Sequence, residues 1–110
     1  MNKKRLIFHG EVAFIEVHEI PSEAKKLDVK ENHFVVGESE THGNDHRVTT
    51  IDTSLFTKED VLFLESIGKT EIFCPNKTRH DTITLPAGMW KIGHAQEYDY
   101  LNEELRRVRD

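Results

Sequence analysis

Leu55-Phe56-Thr57-Lys58-Glu59-Asp60-Val61-Leu62-Phe63-Leu64 is the stretch whose reading decides the fold. Thr57, with Asp60 three residues on, could cap a short apolar helix that ends at Gly68. The competing reading is a hairpin, in which two apolar runs flank the polar turn Thr57-Lys58-Glu59-Asp60. The run after the turn is short, closed by Gly68, and too brief to show a helical period, so the hairpin is the better reading. Its expected register sets Leu55 opposite Leu62 and Phe56 opposite Val61. Strands apolar on both sides belong at the centre of a core.

Working outward, the same β character recurs on both sides. Upstream, Val12-Ala13-Phe14-Ile15-Glu16-Val17 is β-branched and aromatic enough for a strand, with a break or bulge at His9-Gly10. Pro21-Ser22-Glu23 ends it, and Ala24 to Lys30 is a polar connector. His33 to Glu40 reads as a second strand, Gly43-Asn44-Asp45 as a three-residue turn, and His46 to Thr53 as a third strand. That register puts His42 opposite His46, Glu40 opposite Val48 and Glu38 opposite Thr50. Downstream, Thr70 to Cys74 is a short strand, and Asp81 to Leu85 alternates with Ile83 and Leu85 inward. Leu85-Pro86-Ala87-Gly88 matches a type I turn, and Met89 to His94 follows as a strand with Trp90 and Ile92 on one face.

From Asp99 the period changes. Leu101, Leu105 and Val108 fall at helical spacing, with Glu103-Glu104 early and Arg106, Arg107 and Arg109 late, as the helix dipole favours. Such a helix, over about 99–109, is too short to hold without docking. Short strands separated by turn signals predict a mainly β fold: a compact antiparallel β-barrel or sandwich, possible cupin-like closure included, with a short C-terminal α-helix. The 110 residues are expected to form one domain, 1–110.

Composition narrows the function classes. Apolar content is 36% and charged content 32%, so the core is thin. A net charge of −5 argues against a phosphate-backbone binder, and the basic ends Lys3-Lys4-Arg5 and Arg106-Arg107 read as solvated, leaving nucleic acid an unfavoured partner. Cys74 is the single cysteine, so no intrachain disulfide can form, and a reducing compartment suits the chain. Leu6-Ile7-Phe8 is too short for a signal peptide core, and no run approaches a membrane span. The expectation is a soluble, cytoplasmic protein.

Seven histidines are many for this length. His42 and His46 would face one another across the hairpin, and His80 stands just before the 81–85 strand, where it can approach the same pole. Three imidazoles with a carboxylate or water suit zinc, iron or another first-row divalent ion. Asp45 is the chosen carboxylate, Asp81 and Glu40 are alternatives, and Arg47 or Thr41 could support the ligands. His33 and His94 lie in strand patterns and read as packed or hydrogen-bonded; His9 and His18 carry no signal. Cys74 has no activating base beside it in sequence and reads as a structural or free thiol.

These residues also carry a resemblance. Gly43-Asn44-Asp45-His46-Arg47, then His80-Asp81-Thr82-Ile83-Thr84-Leu85-Pro86-Ala87-Gly88-Met89-Trp90, then Glu97-Tyr98-Asp99 are similar to a pattern in small, poorly characterised bacterial and phage proteins. That pattern runs Gly-His-x-His-Arg, His-x-x-Ile-x-Leu-Pro-x-Gly-x-Tyr and Glu-Tyr-Asp. Asn44 stands where the group has its first His, and Trp90 where it has Tyr. Leu-Pro-x-Gly also resembles the turn of cupin barrels. The resemblance implies a β fold and a site near the turn, and no reaction. Three functions follow as expectations. The first is a metal or small polar ligand held at His42, His46 and His80. The second is a non-enzymatic phage or bacterial accessory protein working through a partner or self-association (in the host cytoplasm if phage-encoded). The third is a metal-dependent enzyme with Glu40 moving protons.

Overall fold

The computed structural model describes residues 5–37, 45–75 and 81–94. Ten strands follow in chain order. They are β1 (Leu6–His9), β2 (Val12–Val17), β3 (Lys25–Lys26), β4 (His33–Gly37), β5 (His46–Thr49), β6 (Thr53–Lys58), β7 (Val61–Ser66), β8 (Thr70–Phe73), β9 (Ile83–Leu85) and β10 (Gly88–His94). They make two antiparallel sheets, one of six strands in the order β1-β2-β10-β7-β6-β3 and one of four in the order β4-β5-β8-β9.

The deciding stretch is a hairpin. β6 and β7 pair Leu55 with Leu64, Phe56 with Phe63, Thr57 with Leu62 and Lys58 with Val61. The register therefore differs by two residues from the expected one, because the turn is Glu59-Asp60 alone. Both residues take left-handed φ, 50° and 64°, the conformation whose twist matches the flanking strands in a two-residue hairpin. An even shift keeps every side chain on its expected face, so Leu55 and Leu64 still point inward.

Two other sequence expectations are corrected. The supposed break at His9-Gly10 is a two-residue turn, Gly10-Glu11, that folds β1 back on β2 with His9 opposite Val12. The β4–β5 register also changes. His46 lies opposite Gly37 rather than His42, Phe34 opposite Val48, and His33 opposite Thr49, with a bulge between Val35 and Gly37. Val48 is completely buried; the expected register would have set Glu40 against it, and an unpaired carboxylate there is far costlier than a longer connection.

Neither sheet closes into a barrel. β1 and β3 are the two edges of the larger sheet, and β4 and β9 those of the smaller. The Leu-Pro-x-Gly turn explains why. β9 pairs with β8 in the small sheet, whereas β10 lies between β2 and β7 in the large one. The turn thus carries the chain from sheet to sheet, which removes the cupin-like barrel. Two side chains brace it: Trp90 donates its indole N–H to the Pro86 carbonyl at 3.2 Å, and Arg5 donates to the Ala87 carbonyl at 3.1 Å.

The two sheets share one core. The larger contributes Val12, Phe14, Leu55, Leu64, Trp90 and Ile92; the smaller contributes Val48, Ile72 and Leu85. Trp90 and Ile92 share the inward face, as their spacing predicts. The expected C-terminal helix over 99–109 lies outside the described residues. Among the described residues no helix is long and apolar enough to cross a membrane.

Candidate functional site

Strand alternation places three ligand-type side chains at one end of the shared core. On β5, His46 and Val48 point inward and Arg47 does not. On β8 the inward positions are Thr70 and Ile72, and Cys74 continues that parity just past the strand end. β5 and β8 pair Arg47 with Phe73 and Val48 with Ile72, so the next step of the same register sets His46 against Cys74. His9 arrives from the other sheet, as the inward last residue of β1. His9, His46 and Cys74 are 3%, 2% and 0% exposed.

The contacts are short and directional. His9 Nδ1 lies 2.8 Å from His46 Nδ1, with the rings edge-on at 88°. His9 Nε2 lies 2.9 Å from the Asp81 carbonyl oxygen, and Cys74 Sγ lies 3.6 Å from His46 Nδ1. A carbonyl only accepts, so His9 must donate through Nε2–H, which leaves its Nδ1 as the lone pair of a neutral ring. His46 Nδ1–H then donates to it. His46 Nε2, on the far side, faces the Glu11 carboxylate at 4.0 Å.

One ligand atom from each of the three residues lies within 4.8 Å of the others. A tetrahedral zinc ion with ordinary bond lengths needs N···S separations of about 3.6 Å and N···N separations of about 3.3 Å. The His46–Cys74 contact already has that span, and the two imidazoles need to part by roughly 0.5 Å. An ion there would take the place of the proton between the Nδ1 atoms, and that proton would pass to His46 Nε2, toward Glu11. Both histidines would then present Nε2–H to an oxygen, Asp81's carbonyl and Glu11's carboxylate, the usual outer support of a metal-bound imidazole.

The bulge at Gly37 makes room for this. Gly37 is opposite His46, and a Cβ at position 37 would collide with the Val12 side chain and would itself lie 3.7 Å from His46 Cδ2. A cleft of about 350 Å³, lined by Val12, Val36, Asp60, Leu62, Lys91 and Ile92 among others, lies beside Val12. His9, His46 and Cys74 do not line this cleft; all three are buried.

Of the residues singled out from sequence, His46 is in the cluster. Asp45 has its carboxylate 3.8 Å from the Arg47 guanidinium. His42 and His80 lie outside the described residues, as do Glu38 and Glu40. His33 is hydrogen-bonded, accepting at Nε2 from Arg47 at 3.2 Å. Sequence reasoning passed over His9 and Cys74. The signal was present in the alternation, since each extends an inward apolar face by one polar step: Ile7 to His9, Ile72 to Cys74 and Val48 to His46.

A second polar node lies at the opposite end of β2. Glu16 accepts from the Arg5 guanidinium at 2.7 Å and from the Arg5 backbone N–H at 3.0 Å. These hydrogen bonds from Arg5 hold the Glu16 carboxyl well below its usual range, at about 2. Arg5 also lies 5.2 Å above the Trp90 ring.

The model of a family described as a domain of unknown function, DUF8820, matches residues 8–95, a span that includes His9, His46 and Cys74. No curated protein and no solved structure matches the chain. The match covers most of the chain, which therefore belongs to the DUF8820 family.

Proposed function

We propose that this DUF8820 domain binds one divalent transition-metal ion, zinc before iron, through His9 Nδ1, His46 Nδ1 and Cys74 Sγ, and that the ion fastens its two sheets together. The observation that carries the reading is the fixed tautomer of His9. With Nε2–H engaged by the Asp81 carbonyl at 2.9 Å, the atom facing His46 and Cys74 is a lone pair. Two imidazoles and a thiolate are a borderline-soft set that suits zinc and disfavours magnesium or calcium. Burial of all three ligands supports a structural ion, since catalysis needs an exchangeable position. A thiolate ligand keeps best in a reducing cytoplasm, the proposed compartment. Such a role suits the small bacterial and phage accessory proteins whose motif pattern the chain resembles.

The fourth ligand is proposed to come from His42 or His80. Residues 38–44 follow Gly37, which pairs with His46. Residues 76–80 run from just after Cys74 to Asp81, whose carbonyl holds His9. Both segments therefore start or finish at the cluster.

Elemental analysis of the purified full chain tests the proposal, with cobalt loading as a spectroscopic check. One ion per chain is expected, falling to background in His9→Ala and Cys74→Ser but unchanged in His18→Ala. Cobalt-loaded protein should show a thiolate-to-cobalt band that Cys74→Ser lacks. His42→Ala and His80→Ala then separate the two candidates for the fourth position. The 2.8 Å contact between the histidines favours a second reading of the trio as a buried hydrogen-bonded staple, in a domain proposed to act as a protein-interaction module. Metal-free protein that takes up no cobalt and ignores chelators would establish that reading instead.

A further inference from the structure

The six-stranded sheet has two apolar faces, and the shared core accounts for one. Val12, Phe14, Leu55, Leu64, Trp90 and Ile92 point into that core. Alternation along each strand sends Ala13, Ile15 and Phe63 to the other face. Register adds Phe8, opposite Ala13, Phe56, opposite Phe63, and Met89, one residue before inward Trp90. None of these six belongs to the core cluster or to the side chains packed against it. Lys91 and Glu65 share this face, as a face turned to water would have it, yet Ala13, Ile15 and Phe63 are only 0%, 8% and 8% exposed.

We propose that residues 99–109 form an amphipathic helix that docks across this second face. β10 is an interior strand, with two strands on one side and three on the other. The chain leaves it at His94, opposite Val12, and residues 95–110 follow. Leu101, Leu105 and Val108 give that segment one apolar stripe. A helix over 99–109 is about 16 Å long, and the seven residues of β10 extend about 23 Å, so it fits within the depth of the sheet. A helix of this length does not persist in water alone and needs a surface. Gly93 and Ala13 are paired neighbours on the face, small enough for a helix to approach closely. Lys91 is exposed between Ile15 and Phe63, where Glu104, flanking the stripe, can pair with it. The proposal does not rest on the metal reading.

Solution NMR on the full chain is the test. Contacts between the methyl groups of Leu101 and Leu105 and the ring of Phe63 are expected in a monomer. In Leu101→Asp/Leu105→Asp they should vanish, the Phe63 ring shifts should move, helical circular dichroism should fall, and the uncovered face should bind an apolar dye or self-associate. Zinc content should not change between the two. The proposal is overturned if wild-type shows no such contacts, or if its mass is that of a dimer whose Phe63 shifts the double variant leaves alone. In the latter case a second copy covers the face.

Discussion

Gly37→Ala is the most informative single change in this protein. The backbone at 37 is not in the left-handed region, so an alanine there carries no backbone strain. Its cost comes from one new methyl group driven into the Val12 side chain. Val12 is 1% exposed and part of the shared core, so it must shift to admit the methyl. Overpacking of this kind costs about 1–3 kcal/mol, or a fall in melting temperature of roughly 4–12 °C for a domain this size. Val12→Ala alone leaves a small cavity and should cost about 2 kcal/mol. Val12 is also the residue the new methyl strikes, so the double variant should be no less stable than Val12→Ala by itself, with a coupling of about 1–3 kcal/mol. Urea denaturation of the four proteins, with and without chelator, measures the cycle. Strict additivity, or a Gly37→Ala protein as stable as wild type, would refute the packing of β4 against β2 and the placement of His46 that depends on it.

Replacing Glu59-Asp60 with Asn-Gly should stabilise the protein by about 1 kcal/mol, since both positions hold left-handed φ that non-glycine residues adopt at a cost; thermal melts would show it. Arg5 holds the Glu16 carboxyl at about 2 against an ordinary 4.5. The folded-state value is depressed, so the stabilisation is complete above 4.5 and disappears as pH falls toward about 2. Wild type should therefore exceed Glu16→Gln in stability at pH 6, with the difference shrinking through that acid window in pH-dependent denaturation. Zinc titrated calorimetrically into metal-free protein in buffers of different ionisation enthalpy should release about one proton, from the Cys74 thiol, because His46 only exchanges tautomers. Glu11→Ala should weaken zinc binding by roughly tenfold or more, as loss of an outer-shell partner does.

What a single sequence determines here is local and periodic. Val12–Val17 and the strand through Trp90 and Ile92 are legible because β-branched and aromatic residues alternate over six or seven positions. The hairpin over 55–64 is legible because its apolar runs are too short for a helix. The inward parity of Ile83, Leu85, Trp90 and Ile92 follows from the period of two alone. Register, by contrast, is settled by what each residue meets. The β4–β5 pairing follows from Phe34 joining Val48 in the core, which no reading of the Gly43-Asn44-Asp45 turn could supply. Sheet membership is likewise tertiary, since a turn such as Pro86-Ala87 has the same residues whether it closes a hairpin or crosses between layers. The candidate site belongs to this second kind. His9, His46 and Cys74 come from far-separated parts of the chain and from both sheets, and each looks ordinary in its own segment. They meet because three inward faces end at the same pole, and only packing one sheet on the other brings those ends together.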